Sequence, residues 1–372
     1  MDRLGLIQKI APEAGELLER RYVILRNMYF GGPVGRRSLA ARLDWPERMV
    51  RKEIEFLRQQ GLIEPDASGM RIAGGGESVL SELEACIREF RNLSSVEKLL
   101  AARLGLEEAV LVPGDSDSDP TVKKELARAT ASYLRGALKD GCVLAVTGGT
   151  TLAEVARSLP EEPLNIDLTV VPARGGLGEE VGVQANTIAA EIARRLGGSY
   201  RLLHAPDDLG EEAVSTLSEE PKIREILDLI RRADIVLHGI GTAEEMARRR
   251  GLPAGELDYL RAKRAVGEAF GYYFDREGRV VYSTRSFGLR IEDLAGVGKV
   301  VAVAGGSGKA EAALAVMSTR YQHVCITDEG AARLMLGPQF LAQGGVIGDD
   351  EDRDQRIRAN RAKRVSRRAE RP

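Results

Sequence analysis

The residues best suited to chemistry sit where apolar runs stop at glycines. In "VTGGTTLAEVA" an apolar run ends at Val146 and Thr147, Gly148 and Gly149 follow, then Thr150 and Thr151, and apolar residues resume at helical spacing. Glycines after a strand let the backbone approach a ligand, and the helix that follows offers unpaired N–H groups and a partial positive charge. With two threonine hydroxyls added, the stretch suits a phosphate monoester. It serves equally as a plain strand-to-helix turn with an N-cap. Other strand ends favour the phosphate. "VVPARGGLGEEVGVQANTIAAEIA" sets Arg174 just past a strand and Gln184 and Asn186 at the start of the next helix, and an arginine there can form paired hydrogen bonds to phosphate. "VAVAGGSGKAEAAL" puts Gly306, Ser307 and Lys309 in a Gly-rich loop that opens another helix, a second candidate anion site. It is not a P-loop, which needs Gly where Val303 stands and Ser or Thr where Ala310 stands. "HGIGTAEEMARRRGLP" ends a strand with Gly239 and Gly241 and carries Arg248, Arg249 and Arg250 at the far end of its helix. For at least two of the three, complementing the helix dipole on a solvated face is the expected role.

Proton-transfer groups are scarce beside these loops. His204, His238 and His323 lie in or beside strand-like runs, where a lone histidine is expected to be a core residue. Glu268 in "GEAFGYYFDREGRVV" and Asp328 in "CITDEGAA" are the best acidic candidates, and either could accept hydrogen bonds from sugar hydroxyls as readily as it could move protons. The sequence has no Ser/His/Asp spacing, no metal-ligand cluster and no dinucleotide glycine fingerprint. Neither a catalytic residue, a metal nor a cofactor is expected, and a binding pocket is favoured over an active site.

The elements that must hold these loops follow from the apolar runs. Over residues 121–345, "CVLAVTGG", "IDLTVVPARGG", "YRLLHAP", "ADIVLHGIG", "VVAVAGG" and "HVCITDEG" alternate with helical patterns. Strands buried on both faces read as continuous apolar runs, so this is an α/β region with a parallel, doubly wound, Rossmann-like sheet. Such sheets bind ligands at the carboxyl ends of their strands. Residues 76–120 form a linker helix, with Val79, Leu83, Ile87 and Phe90 expected on one face, and an acidic loop, "PGDSDSDPT".

Residues 1–75 hold three short helical patterns and a hairpin. The third helix, from Pro46 to Gln60, turns Val50, Ile54 and Leu57 inward and Arg48, Arg51 and Lys52 outward, as a recognition helix in a major groove requires. Arg36, Arg37 and Ser38 open the second helix, where phosphate contacts add affinity without sequence information. "LIEP" and "MRIA" form the wing. From Arg20 to Gln60 ten basic residues face four acidic ones, so a winged helix-turn-helix reading double-stranded DNA is preferred to a merely solvated helical face. Such modules usually work as dimers.

Bulk composition adds little. Over 372 residues, 54 basic and 56 acidic side chains nearly cancel, so net charge points to no partner. The three cysteines, Cys86, Cys142 and Cys325, are far apart and read as reduced core thiols. No run has a membrane span's length and the start lacks a signal peptide's apolar core, so a cytoplasmic protein without membrane attachment is expected. The basic tail, residues 346–372, has too few apolar residues to join a core and is expected to be disordered.

The order of "GRRSLAARL", "VTGGTTLAEVA", "VVPARGGLGEEVGVQANTIAAEIA", "GEAFGYYFDREGRVV", "VVAVAGGSGKAEAALAVM" and "CITDEGAARLML" resembles the SorC-type sugar-binding transcriptional repressors over residues 5–345. The resemblance implies a repressor of glycolytic genes with fructose 1,6-bisphosphate as main effector, acting as homodimers that pair into tetramers on a long operator. It also implies an effector-domain fold similar to ribose-5-phosphate isomerase and glucosamine-6-phosphate deaminase, which supplies the less favoured alternative, a sugar-phosphate isomerase or deaminase with an accessory N-terminal domain. Carried onto this sequence, Gly148, Gly149, Thr150 and Thr151 would hold one phosphate, and Lys309 with Gly306 and Ser307 another. Arg174, Gln184, Arg250 and Glu268 would reach the remaining phosphate and sugar groups. The basic tail is not a feature of that family.

Overall fold

The computed structural model describes residues 9–176, 180–206, 210–284 and 287–337. The tail expected to be disordered, residues 346–372, lies outside them, as does part of the "GGLGEE" stretch. The chain opens with α1 (Pro12–Gly31), α2 (Arg36–Leu43) and α3 (Glu47–Gln59), followed by the antiparallel hairpin β1 (Ile63–Asp66) and β2 (Gly69–Ile72). Val50, Ile54 and Leu57 recur one turn apart on α3 and are buried with Tyr22, Ile24, Leu25 and Met28 of α1 and Leu39 of α2. Arg48, Arg51 and Lys52 stay exposed on the other side. The buried Glu53 accepts from Arg21 of α1 at 2.9 Å, and that guanidinium lies 3.5 Å over the Phe56 ring, so α3 is locked to α1 by charge as well as packing.

Next come α4 (Gly74–Phe90) and α5 (Leu93–Leu104). The buried residues of α4 are Gly76, Leu80 and Ile87, and the latter two join the core of the N-terminal module. Val79, expected on the same face as Ile87, is exposed, because the stripe runs one residue later than the spacing suggested. Cys86 on this helix is exposed too, whereas Cys142 and Cys325 are buried core thiols; none is in a disulfide.

The rest is a seven-stranded sheet in the order β3-β13-β12-β7-β4-β5-β6, every neighbouring pair parallel. Its strands are β3 (Glu108–Val112), β4 (Cys142–Val146), β5 (Leu168–Pro172), β6 (Ser199–Tyr200), β7 (Ile235–Gly239), β12 (Lys299–Ala304) and β13 (Val324–Asp328). Its helices are α6 (Pro120–Ala137), α7 (Thr150–Ser158), α8 (Ala185–Leu196), α9 (Glu211–Glu219), α10 (Pro221–Arg231), α13 (Ala310–Ser318) and α14 (Glu329–Leu336). Alternate residues of one strand enter opposite cores: Leu144 and Val146 pack in one cluster and Ala145 in the other, as do Val301 and Val303 against Val300 and Ala302. That two-sided burial is what made the strands read as unbroken apolar runs.

Two strands depart from expectation. β3, not anticipated as a strand, forms the edge beside β13. β6 stops after two residues because the Asn186 side chain takes both backbone groups of Leu203, at 3.0 Å each, where a longer strand would use them in the ladder. A second sheet, antiparallel and ordered β11-β10-β9-β8, is built from β8 (Gly241–Thr242), β9 (Gly267–Ala269), β10 (Tyr272–Phe274) and β11 (Val280–Ser283). With α11 (Ala243–Arg249) and α12 (Ala254–Ala262) it forms a small flap around Tyr273 and Leu260. No described helix is long and apolar enough to cross a membrane.

Charged groups join the N-terminal module to the α/β region. Arg26 of α1, only 3% exposed, donates to Asp119 at 2.7 Å, to Glu125 at 3.1 Å and to the Pro113 carbonyl at 2.9 Å. Asn27 donates to Asp119 at 3.1 Å, and Tyr22 donates a short hydrogen bond to Glu125. One guanidinium serves two carboxylates, and they settle apart. Burial works to raise Asp119, but the Arg26 charge and hydrogen bonds from Thr121 and Arg26 hold it below the usual carboxylate range. Burial dominates at Glu125 and pushes its carboxyl up to about 7.

The sign of the consequence is definite. A carboxyl with a raised folded-state value holds its proton when folded at a pH where the unfolded chain has released it. Its contribution is therefore greatest below the ordinary carboxylate value and is lost as pH climbs through about 7. Glu125→Gln should flatten this fall in stability between pH 5 and 8, read as denaturation midpoints of the two proteins. Parallel profiles would show that Glu125 does not titrate in that window.

Candidate functional site

The strand order places the site. Leaving β4 the chain winds outward through β5 and β6, then returns to the other side of β4 as β7, so the winding direction reverses between β4 and β7. Loops leaving adjacent strands at such a point diverge and open a crevice. The two strand ends are knitted together there, with the Thr147 amide donating to the Leu237 carbonyl at 3.1 Å and the Gly239 amide donating to Thr147 Oγ1 at 3.3 Å.

The crevice is a cleft of about 870 Å3, its open mouth included. On one wall Gly148 and Gly149 turn the chain into α7. A Cβ at Gly148 would stand 2.8 Å from the Val183 carbonyl, and Gly149 has φ 121, so both positions need glycine. The first amides of α7, from Thr150 onward, have no carbonyl one turn earlier to bond and face the cleft beside the Thr150 and Thr151 hydroxyls. Gln184, just before α8, lines the same wall.

The cleft also carries a buried ion cluster. Glu268 on β9 accepts from Arg250 at 2.8 Å and from the Gly271 amide at 2.5 Å, and Arg174 lies 3.6 Å away. All three side chains are at most 7% exposed. The β9–β10 turn puts Phe270 at φ 55 and Gly271 at φ 81. A phenylalanine in the left-handed region is strained, and here it delivers the ring to the cleft against His238, 4.6 Å between centroids. Arg249, Glu245 and Lys309 complete the charged lining. Four cationic side chains thus face two carboxylates around the cleft, a balance that suits an anion.

Gly148, Gly149, Thr150, Thr151, Arg174, Gln184, Arg250, Glu268 and Lys309 all line this one cleft. Gly306 and Ser307 are not part of its lining. The Gly306 amide donates to Asp328 at 2.6 Å, the Ser307 amide to Asp115 at 3.1 Å and the Gly308 amide to Asp117 at 2.7 Å. The loop has the anion-binding form read from sequence, and the chain's own carboxylates occupy it. Asp328 also accepts from Ser116 and caps α14 through the Ala331 amide at 2.9 Å, which commits its oxygens to structure. His238 is fully buried, bonded to the Gly239 carbonyl at 3.0 Å, and burial pulls it down to about 4. It is neutral near pH 7. His204 is exposed, and His323 accepts from the Val300 amide at 3.0 Å within the sheet. Among the described residues, no group of His, Cys, Asp and Glu could hold a metal ion.

Sequence reasoning did not reach Thr147, Glu245 or Phe270 of the lining, nor Lys123 of α6, which stands behind the lining and whose Nζ donates to Thr150 Oγ1 at 3.0 Å. Phe270 had a signal in the glycine after it, which marks a tight turn; Lys123 had none.

In the N-terminal module Arg36, Arg37 and Ser38 are exposed at the start of α2, as are Arg48, Arg51 and Lys52 of α3. Glu47 draws Arg51 to 3.4 Å and Arg37 to 3.7 Å, and Arg58 pairs with Glu55. Arg21 and Arg26, counted in the local basic excess, are spent inside the molecule.

A family model described as "CggR N-terminal DNA binding domain" matches residues 17–87, and one described as "Putative sugar-binding domain" matches residues 88–337. Over 329 residues the chain is 42% identical to the central glycolytic genes regulator of Bacillus subtilis (strain 168), covering 88% of this chain and 97% of that one. The chain belongs to the central glycolytic genes regulator family. Its identity to the member from Priestia megaterium (strain DSM 319 / IMG 1521) is 45% over 328 residues, 88% of this chain and 96% of that one. A solved SorC family transcriptional regulator from Enterococcus faecalis superposes with a TM-score of 0.61 at 42% identity, covering 65% of this chain and 99% of that one. The full-length sorbitol operon regulator SorC from Klebsiella pneumoniae shares the fold, with a TM-score of 0.60 at 19% identity over 85% of this chain and 98% of that one. As a member of this family the chain is a transcriptional regulator with a DNA-binding and a sugar-binding domain, not an enzyme.

The ion cluster makes one outcome definite. Glu268→Gln leaves Arg174 and Arg250 facing each other without their shared carboxylate, a loss of about 3–5 kcal/mol for a broken buried pair. Chemical denaturation should show that loss, and millimolar inorganic phosphate should restore part of it. A variant as stable as the parent would mean that the two arginines do not depend on Glu268.

Proposed function

We propose that the chain represses glycolytic genes in the cytoplasm by holding operator DNA, and that a phosphorylated sugar bound in the cleft releases it. The observation that carries this reading is the cleft's charge arrangement. The α7 N-terminus with its two hydroxyls, Lys309, Arg174 and Arg250 all line the cleft, the two arginines gathered at Glu268. Several cationic groups in one cleft suit a ligand with two phosphates, and fructose 1,6-bisphosphate is the one we assign. In this reading Gly148 to Thr151 with Lys309 take one phosphate, Arg174 and Arg250 take the other, and Gln184 and Glu268 accept the sugar hydroxyls. Gly306 and Ser307 act on the ligand indirectly, through the placing of Lys309.

The reading face is α3. Arg48, Arg51 and Lys52 enter the major groove while Arg36, Arg37 and Ser38 meet the backbone. Repressor dimers, pairing into tetramers, place two such faces on each half of a long operator. The coupling is reciprocal: an effector that weakens operator binding is itself bound more weakly by the operator complex, by the same factor, typically ~5 to 150-fold.

Two measurements test the two ends separately. Arg51→Ala should weaken operator binding by about tenfold or more in a gel shift, and an unchanged shift would remove α3 as the reader. Thr151→Ala and Arg174→Ala should still bind operator yet hold it at fructose 1,6-bisphosphate concentrations that release the parent protein. Release at the parental concentration would show that the ligand sits elsewhere.

A further inference from the structure

Helix α6 points two ways. Asp119 at its N-cap and Glu125 hold Arg26 of the DNA-reading module, Lys124 Nζ donates to the Phe30 carbonyl at 2.6 Å, and Arg128 pairs with Glu84 of α4. Lys123 and Glu125 are two residues apart, about 200° around the helix axis, so their side chains leave on nearly opposite sides. Lys123 crosses to α7, where its Nζ donates to Thr150 Oγ1 at 3.0 Å.

That is an unusual end for a half-buried lysine. Among the described residues neither Lys123 nor Lys309 has a carboxylate within ion-pair distance. The two ammonium groups feel each other. Burial first, and the Lys309 charge next, draw Lys123 below the ordinary lysine value. By accepting from Lys123, Thr150 Oγ1 keeps its own O–H free to donate, and Thr150 lines the cleft. Two repelling cations around a hydroxyl and a helix N-terminus are all satisfied together by a phosphate dianion, which turns the repulsion into two charge-assisted hydrogen bonds.

We propose that Lys123 is a phosphate-binding residue of the cleft and the link through which the bound phosphate acts on α6, the helix whose other side holds the DNA-reading module. This rests on the sugar-phosphate reading above and adds to it the residue that joins ligand to reader. A phosphate at Thr150 pulls Lys123 off the hydroxyl and toward itself, and α6 carries that displacement to Asp119, Glu125 and Arg26.

Isothermal titration of the full chain with fructose 1,6-bisphosphate and with inorganic phosphate, together with operator titrations with and without saturating sugar bisphosphate, tests it. Lys123→Met should weaken fructose 1,6-bisphosphate binding by about tenfold or more, as the loss of a charged hydrogen bond does. At saturation it should also shrink the ratio of operator affinities with and without ligand, and Lys123→Arg should restore most of both. Thr151→Ala is the control for the cleft itself. Should Thr151→Ala lose the ligand while Lys123→Met binds it as the parent does, Lys123 is only a strut between α6 and α7 and the proposal falls. Should both bind normally, the sugar-phosphate assignment of the cleft falls with it. A Lys123→Met protein that binds weakly but, once saturated, releases operator by the full parental ratio overturns the link to α6.

Discussion

The junction between the DNA-binding module and the α/β region is built around one buried guanidinium. Arg26 is 3% exposed and cannot lose its charge, so it must find carboxylates inside the protein. It finds them on α6, at Asp119 and Glu125, and so α1 packs against the α/β region as part of its interior. α1 is in turn fastened to α3 by Arg21 and Glu53 and by a shared apolar core. Hence the reading helix is docked on the sensor through two rigid elements, and any change in α6 reaches it with no loose link between. A second bridge, Arg91 between Glu19 of α1 and Glu329 of α14, fixes the same orientation from the other end of the interface.

The five residues Asp115 to Asp119 tie this interface to the cleft. Asp119 both caps α6, through the Thr121 amide at 2.9 Å, and holds Arg26. Asp115 and Asp117 reach the opposite way and fill the amides of the turn that carries Lys309. Their charge has a local purpose. A run of exposed backbone N–H groups at a helix start attracts anions, and an internal carboxylate there sets the turn without competing for the ligand at the first wall. Lys309 is therefore held from behind by acid groups that do not neutralise its ammonium.

Much of this fold was legible in the sequence, and what was not has physical reasons. Strands β4, β5, β7, β12 and β13 could be read because both of their faces are buried, and glycines after β4, after β7 and in the Gly306 loop announced where backbone approaches something closely. Edge strand β3, which opens on Glu108 directly after Glu107, lacked that signature, and the flap strands β8 to β11, two to four residues long, carry too few side chains for any period. The acidic loop read as a break because carboxylates that bind backbone amides of a distant turn look, in sequence, like solvated ones. Arg26 was counted with the DNA-facing charge for the same reason: the residue type states the charge, and only the fold states where the counter-charge is. Lys123 is the extreme case, one lysine of a Lys-Lys pair whose members reach different partners, Thr150 and the Phe30 carbonyl.

The groups that might have turned this cleft toward catalysis are disposed of one by one. His238 is neutral and bonded to a carbonyl, Asp328 gives its oxygens to four donors, and Glu268 is clamped between guanidiniums. A general base must be able to accept a proton from the substrate in the bound geometry; Asp328 is committed to its four donors, and His238, whose Nε2 has no partner among the described residues, is fully buried and held neutral by that burial. What is left is a cleft rich in fixed positive charge and poor in mobile protons. Such a site can bind an anion and report on it, because binding changes the balance of repulsion between Lys123, Lys309 and the helix N-terminus. That balance is connected, through α6, to Arg26, which holds two carboxylates of that helix across the interface. A ligand can shift an equilibrium only by its differential affinity for the two states. Here the difference has a concrete source: the cations gathered at Thr150 are separated from Arg26 by the width of a single helix.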